Sequence, residues 1–583
     1  FTSAAYASNV SVIPILRQKL DYVLTNSGVS RESHSGKALT NIVETFPRDE
    51  LFQISNELLA SYAREIETLD HSPRVKVLQR VDEFDRFVSL MVFLPRDQFS
   101  TEIRRSVGNY LAKTFKGRVS AFYPYFAEGP YVRIHYIIGR DSGKTPECCS
   151  KILAKEVEAL SRRWEDRMYD EIAKFYDAEE AELLVDQYGP AFPVGYRDIY
   201  DTSRLMNDIH IIEEMDEDRP TAVTFYRNEK DDRSSLEVTL YNLVDPIPLS
   251  RRVPIFENLG FDVIDERSYT IKPNKGSGQP PVCQHMMRLK VRGEGAVNLD
   301  KLQDHLVQGF MAIWKNEAAN DGYNQLISLI GLEWREAALM RSFGRYLRQI
   351  NLPYDQNYMI RTLVRYSDVS RHLVDLFHCR FNPWHTEAEQ KMVEAKAKRL
   401  NKKINDIRGT IPSLDEDQIL GHFQNLIMAA LRTNFFHVDQ NGDAPEELVF
   451  KFDSQKIDGI PSPKPFREIF VYSPKVEGVH LRFGKIARGG IRWSDRQQDF
   501  RTEVLGLVKA QLVKNSVIVP TGSKGGFVPK NMPLNPSREE FMAAGIAAYK
   551  RFINGLLSIT DNMVGKSIVP PLNTVRFDDD DPY

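Results

Sequence analysis

Residues 481–526 read LRFGKIARGGIRWSDRQQDFRTEVLGLVKAQLVKNSVIVPTGSKGG, and this stretch is the most informative part of the chain. In two places a cation precedes a pair of glycines. These two triplets are Arg488-Gly489-Gly490 and Lys524-Gly525-Gly526. The planar fork of an arginine suits a carboxylate, and glycines let a ligand approach the backbone closely. The pattern predicts a site for a small anionic molecule.

The residues between the two triplets predict how the site is built. Residues 501–514 carry apolar side chains on one side of a helix, and Gln511 and Lys514, three residues apart, share a face. Val517–Val519 is short and β-branched, which predicts a buried strand, and 521–526 predicts the loop after it. Because ligands in open α/β sheets bind beyond the carboxyl ends of strands, we expect Lys524 at the site.

The glycines beside Lys524 also predict positive φ angles. A lysine near other cations in a closed site has its charged form disfavoured, which suits a base or a nucleophile. The competing interpretation is a surface turn, which is what a single Lys-Gly-Gly usually forms. An RNA-binding tail is disfavoured, because Arg-Gly-Gly occurs once, among aromatic residues and predicted strands.

Composition describes an ordinary globular chain. Its 583 residues are 42% hydrophobic and 27% charged, which predicts several domains. A net charge of −3 gives no field that favours nucleic acid or membrane. The four cysteines have no CxxC spacing, so we expect a reducing compartment and no disulfide framework. No bilayer-spanning run or signal peptide is evident, and we expect a cytoplasmic protein.

Hydrophobic periodicity predicts a multidomain α+β and α/β chain. A strand-helix-strand-strand order occurs twice, which indicates an internal duplication of a module that resembles ACT regulatory domains. Alternating strands and helices follow from Leu448 onward. The predicted boundaries are 1–78 helical, 79–142 first ACT-like module, 143–215 helical connector, 216–296 second ACT-like module, 297–445 helical, and 446–583 the first part of a catalytic domain.

Two further clusters have simpler interpretations. His372, His378, Cys379 and His385 do not have the spacing of a compact zinc site, so we expect helix-packing or interface residues and no metal. The acidic run Asp578–Asp581 predicts a solvated loop.

Taken in order, GKIARGGIRWSD, then QLVKN, then GSKGG resembles the large bacterial NAD-specific glutamate dehydrogenases. The resemblance implies that Lys524 is catalytic and that Gln511 and Lys514 hold the substrate α-carboxylate. Arg488 falls where shorter enzymes of this kind place a lysine for the side-chain carboxylate, and branched-chain relatives have an apolar residue there. A retained cation therefore favours a dicarboxylate substrate. Gly489, Gly490 and Gly525 would complete the substrate site.

The sequence departs from that pattern in two other ways. Lys514 and Lys524 are ten residues apart, closer than in the shorter enzymes. The family's catalytic aspartate and its GxGxxG nucleotide-binding motif are not found before Tyr583. Because the chain begins at Phe1 and has no evident closure at its end, we expect a piece of a larger polypeptide whose missing C-terminal domain binds NAD.

The resemblance implies an oxidoreductase of glutamate catabolism that converts L-glutamate to 2-oxoglutarate and ammonia. It further implies a homo-oligomer with amino-acid effectors, and a piece that is inactive alone. Two alternatives stay open. One alternative is that the chain is a non-catalytic scaffold that binds effectors through its ACT-like modules. The other is that it belongs to a dehydrogenase of another amino acid.

Overall fold

The computed structural model describes most of the chain. The described residues are 8–71, 74–126, 130–140, 143–162, 164–197, 199–200, 202–227, 234–274, 276, 278–292, 298–514 and 520–582, without the side chains of 70–71 and 512–514. Two compact units are present. One contains Phe1–Pro190 and Arg197–Asn207, and the other contains Ala191–Tyr196 and Asp208–Tyr583.

The first unit contains a helical layer and an antiparallel sheet. Its first helices are α1 (Pro14–Ser27), α2 (His34–Thr45), α3 (Arg48–Gln53) and α4 (Asn56–His71). The sheet and its helices are β1 (Lys76–Val81), β2 (Phe87–Pro95), α5 (Thr101–Thr114), β3 (Gly117–Phe126), β4 (Tyr131–Arg140) and α6 (Ser150–Ser161), with strand order β1-β2-β4-β3. Alternation along β2 buries Met91 and Phe93 in the core of α1–α4, and Leu90 and Val92 in the core with α5 and α6.

The second unit repeats this sheet. Its elements are β5 (Thr221–Tyr226), β6 (Ser235–Leu243), α11 (Leu249–Asn258), β7 (Phe261–Ile271) and β8 (Val282–Val291), with strand order β5-β6-β8-β7. The predicted duplication has the same strand order in both copies. The predicted strand-helix-strand-strand order was incomplete, because β1 and β5 add an edge strand ahead of each copy.

Helices fill the rest of the chain up to the last sheet. Along the chain, four helices follow the first module and precede the second: α7 (Trp164–Ile172), α8 (Ala178–Tyr188), α9 (Val194–Arg197) and α10 (Thr202–Glu213). After the second module come α12 (Leu299–Trp314), α13 (Gln325–Ile330), α14 (Trp334–Gln349), α15 (Gln356–Arg365), α16 (Ser367–Phe381), α17 (Glu387–Arg408) and α18 (Leu414–Ala429). Within the described ranges, no helix has the length and apolar character needed to cross a membrane.

A six-stranded mixed sheet forms the C-terminal part of the second unit. Its elements are β9 (Ala430–Thr433), β10 (Leu448–Phe452), β11 (Arg467–Tyr472), β12 (Val476–Arg482), β13 (Ala487–Trp493), α19 (Phe500–Lys514), β14 (Thr521–Pro529) and α20 (Arg538–Ser558). The strand order is β13-β14-β12-β11-β10-β9, and β13 pairs with β14 in parallel. The short hairpin β15 (Asn562–Val564) and β16 (Ser567–Val569) follows. The predicted combination of strands and helices in this region is confirmed.

A buried ion pair joins α19 to this sheet and to the helical region. Glu468 of β11 and Arg501 of α19 are both inaccessible to solvent, and Arg501 Nη2 lies 2.7 Å from Glu468 Oε2. Tyr346 of α14 donates its hydroxyl to the same carboxylate. Because an isolated buried charge is costly, this geometry fixes where α19 begins relative to the sheet.

Candidate substrate site

Lys524 lies inside a strand. The sequence predicted 521–526 as a loop, but Thr521–Pro529 forms β14, with β13 on one side and β12 on the other. Lys524 is opposite Gly490 of β13 and Leu481 of β12. The loop prediction was wrong because backbone pairing on both sides holds these glycine-rich residues extended. The predicted strand Val517–Val519 lies outside the described residues.

Register places the candidate side chains on one face of the sheet. Arg488 is opposite Gly522, and Gly490 is opposite Lys524, two positions further along. Residues two apart along a strand share a face, so Arg488 and Lys524 project to the same side. That side is covered by α19, since a Cβ at Gly522 would lie 3.2 Å from Gln511 Cδ. Arg488, Lys524 and Gln511 therefore lie on the α19 side of the β13–β14 pair.

The glycines of the site allow close packing, and they do not adopt the positive φ angles that the sequence predicted. None of Gly522, Gly525 and Gly526 is among the described residues with positive φ. A Cβ at Gly489 would overlap the carbonyl oxygen of Ser523 across the parallel pair. A Cβ at Gly490 would have Lys524 Nζ as its nearest neighbour, at 3.7 Å. Gly489 is therefore required by the backbone, whereas Gly490 leaves space beside the ammonium group.

Gln511 ties the helix to the strand. Its Nε2 donates to the carbonyl oxygen of Arg488 at 3.0 Å. Its Oε1 is buried and, among the described residues, has no hydrogen-bond partner. The amide can therefore support β13 and still accept a hydrogen bond. The backbone of Lys514 ends α19 one turn further on, but its side chain lies outside the described part of the chain.

The charged residues around the site differ in their exposure to solvent. Lys524 is half-buried and Arg488 is exposed. Arg492, on the same face of β13, is paired with Glu503 of α19, with Nε 2.6 Å from Oε1. On the opposite face, His480 of β12 packs against Gly525, whose Cβ would lie 2.9 Å from His480 Cδ2. Burial and the nearby Arg482 guanidinium lower the pKa of His480 to about 4, so its imidazole is neutral at pH 7.

The acidic run at the end of the chain is held in a network of buried charges. The prediction of a solvated loop was wrong for Asp578 and Asp581, whose side chains are only 7% and 10% exposed. Lys451 of β10 binds both carboxylates. Arg432 of β9 binds Asp578, and Arg482 of β12 binds Asp581 at 2.9 Å. Asp579, which is 92% exposed, fits the prediction.

The predicted helix packing is seen for one of the histidines. His378 lies 2.9 Å from Glu336 Oε1 and packs edge-on against Phe435 and Phe436. In the part of the chain that the structure describes, no group of three or more His, Cys, Asp or Glu side chains is placed to hold a metal ion.

Family comparisons assign domains to most of the chain. The catalytic domain described as "Bacterial NAD-glutamate dehydrogenase" matches residues 401–583, which contain the whole mixed sheet. The chain belongs to the bacterial NAD-glutamate dehydrogenase family. Two ACT domains of glutamate dehydrogenase, ACT2 and ACT3, match 76–165 and 220–302. Helical motifs 1 and 3 of glutamate dehydrogenase match residues 13–71 and 318–383 of the chain.

Individual members of the family are similar over the whole sequence. The chain is 41% identical to the NAD-specific glutamate dehydrogenase of Halomonas elongata and 38% identical to that of Pseudomonas aeruginosa. It is 34% identical to the protein of the same name from Mycobacterium tuberculosis. Each alignment includes 100% of this chain, but only 36%, 36% and 37% of the relatives. The chain therefore spans about a third of the length of these relatives.

Proposed function

We propose that this chain supplies the substrate cradle and the regulatory and assembly region of an NAD-dependent glutamate dehydrogenase. The reaction is the oxidative deamination of L-glutamate to 2-oxoglutarate and ammonia. One observation carries the proposal: Arg488, Gln511 and Lys524 lie on the α19 side of the parallel β13–β14 pair, with Gly490 leaving space beside the lysine.

The roles follow from what each side chain offers. Lys524 projects from the central strand of three, and its ammonium polarises the substrate's carbonyl or carbinolamine oxygen and exchanges a proton there. Gln511 and Lys514 hold the α-carboxylate, to which the second N–H of the Gln511 amide donates while the first donates to the Arg488 carbonyl. Arg488 binds the distal carboxylate, because its planar guanidinium can donate two parallel hydrogen bonds.

NAD accepts the hydride when bound, but the described residues do not fit a dinucleotide. The one parallel strand-helix-strand unit here is β13–α19–β14. It has Ser494–Asp499 (SDRQQD) before its helix, where a dinucleotide-binding unit needs a glycine-rich turn. We therefore propose that NAD binds to residues outside this sequence.

The substrate is tested by removing the cation assigned to its distal carboxylate. In an enzyme that contains these residues and a nucleotide-binding domain, Arg488→Leu should lower kcat/KM for glutamate about 10- to 100-fold, the effect of losing a charge-assisted contact. Activity with norvaline, which has no distal carboxylate, should not fall in parallel.

The control is Lys485→Leu, which removes an exposed cation three residues earlier that is 3.8 Å from Asp579. It should change kcat/KM for neither substrate. An equal loss with glutamate and norvaline in Arg488→Leu would contradict the assignment of the distal carboxylate to Arg488.

A second candidate function is an effector-binding scaffold, favoured by a cleft in the first ACT-like module. It measures about 480 Å³ and lies between α5 and β3. The Arg104 guanidinium lies 3.9 Å from the centre of the Phe122 ring beside it. Calorimetry with aspartate, arginine and glutamate should show saturable binding that Arg104→Gln removes; without such binding this candidate fails.

A further inference from the structure

A second polar cleft lies at the other end of β14 from Thr521, where the helical region meets the mixed sheet. It measures about 370 Å³. We call it the Tyr472 cleft, and its charged and aromatic lining residues are Asp321, Arg345, Arg348, Asp355, Tyr472 and Lys530. Lys530 directly follows β14, the strand that carries Lys524. This volume is within the range of small-molecule sites in proteins.

The cleft has more positive charge than its neighbouring carboxylates neutralise. Arg345 and Lys530 share one carboxylate, that of Glu477, with Arg345 Nε at 3.0 Å and Lys530 Nζ at 2.8 Å from the same oxygen. Arg348 donates to the neutral amide of Gln498 at 3.3 Å. Three cations therefore face one shared carboxylate.

The two aspartates that line the cleft do not cancel its excess positive charge. Asp321 is neutralised by Arg341, whose Nε lies 2.9 Å from Asp321 Oδ1. Asp355 caps α15 by accepting from the backbone amides of Asn357 and Tyr358. Counting Arg341, the group has four cations and three carboxylates, and the helix N-terminus adds positive potential.

The lining of the cleft includes a tyrosine with a buried hydroxyl. Tyr472 is only 2% exposed and lines the cleft. Its hydroxyl is buried and has no hydrogen-bond partner among the described residues. A buried hydroxyl without a partner is costly, and an acceptor bound in the cleft would remove that cost.

We propose that the Tyr472 cleft binds a small oxyanion, carrying a carboxylate or a phosphate group, through Arg348, Lys530 and the Tyr472 hydroxyl. An oxyanion accepts from all three donors and neutralises the excess charge. A ligand that draws Lys530 from Glu477 also acts on β14, because Glu477 is opposite Val528 in the sheet. Coupling to Lys524 rests on the proposed function, whereas binding does not.

Calorimetry on the 583-residue chain, with succinate and inorganic phosphate titrated separately, tests the site. We expect one of them to bind saturably below about 1 mM. Arg348→Gln should weaken binding about 10- to 100-fold, because it removes a charged donor that makes one neutral contact in the fold. Tyr472→Phe, which keeps the ring, should weaken it about 2- to 10-fold.

Two controls separate this cleft from nearby charge and from the substrate site. Lys475→Gln removes a cation near the same end of the sheet that pairs with Glu446, outside the cleft. It should leave affinity unchanged, and so should Lys524→Ala. Absence of saturable binding by both probes, or equal affinity in Arg348→Gln and Lys475→Gln, would overturn the proposal. Loss of binding in Lys524→Ala would also overturn it, by assigning the ligand to the substrate site.

Discussion

Replacing Arg432 with methionine should destabilise the C-terminal sheet far more than an exposed ion pair would. Arg432 is fully buried. It donates to Asp578 at 2.6 Å, to both oxygens of Asp561 at 2.9 and 3.1 Å, and to the backbone carbonyls of Ile559 and Asp579. Methionine fills similar space but leaves the solvent-inaccessible Asp561 with Arg576, at 3.5 Å, as its one cationic partner among the described residues.

The size of the loss follows from burial. Removing one partner of a buried pair costs about 3–5 kcal/mol, because the remaining charge cannot be hydrated. The matched control is Arg496→Met, which breaks an ion pair with Asp499 whose side chains are 49% and 39% exposed. Exposed pairs contribute about 0–1 kcal/mol. Urea denaturation followed by tryptophan fluorescence gives the free energy of unfolding for both variants.

The effect should also depend on pH. Burial raises the pKa of Asp561, but hydrogen bonds from Arg432 and from the Asp581 amide outweigh it and lower the pKa overall. A carboxyl with a lowered folded-state pKa contributes stability above its unfolded pKa of about 3.9, and loses it as pH falls through the folded value. The difference between wild type and Arg432→Met should be full at pH 7 and should shrink as pH falls through the pKa of Asp561 in the variant, which burial raises once the Arg432 contacts are removed. A difference of under about 1 kcal/mol at pH 7 would refute the reasoning.

Three further predictions concern the site itself. Gly489→Ala should lower the free energy of unfolding by about 1–3 kcal/mol, because its methyl group would overlap the carbonyl oxygen of Ser523. Gly490→Ala is the control, because its methyl group would lie 3.7 Å from Lys524 Nζ, and it should unfold at the wild-type temperature in a thermal melt. Gln511→Ala should raise KM for glutamate more than it lowers kcat in steady-state kinetics; a loss confined to kcat would contradict its binding role. The purified 583-residue chain should form no NADH from glutamate and NAD, and absorbance at the NADH band would reveal any that it forms.

Sequence patterns predicted the helices around the site better than its strands. The helix predicted at 500–514 is α19, in which Phe500, Val504 and Val508 are buried at four-residue spacing. The strands β13 and β14 were missed because ARGGIRW and TGSKGG lack apolar alternation. Their extended conformation comes from pairing with neighbouring strands, which local sequence does not encode.

Long-range contacts also explain why the acidic run was misjudged. Asp578 and Asp581 are held by Arg432, Lys451 and Arg482, which are about 100 to 150 residues earlier in the chain. From composition alone, four successive aspartates are expected to be exposed to solvent. Similarly, the motifs identified the chemistry of Arg488 and Lys524, but only the strand register placed them on one face.

Turnover of Lys524→Ala is the most direct test of the substrate cradle. The measurement is kcat for glutamate oxidation in an enzyme that contains these residues and a nucleotide-binding domain, with the exposed Lys509→Ala on α19 as control. We expect a loss of about 10²- to 10⁴-fold for Lys524→Ala, the usual contribution of a positioned proton-transfer group, and an unchanged rate for Lys509→Ala. Near-normal turnover of Lys524→Ala would contradict the catalytic role of Lys524.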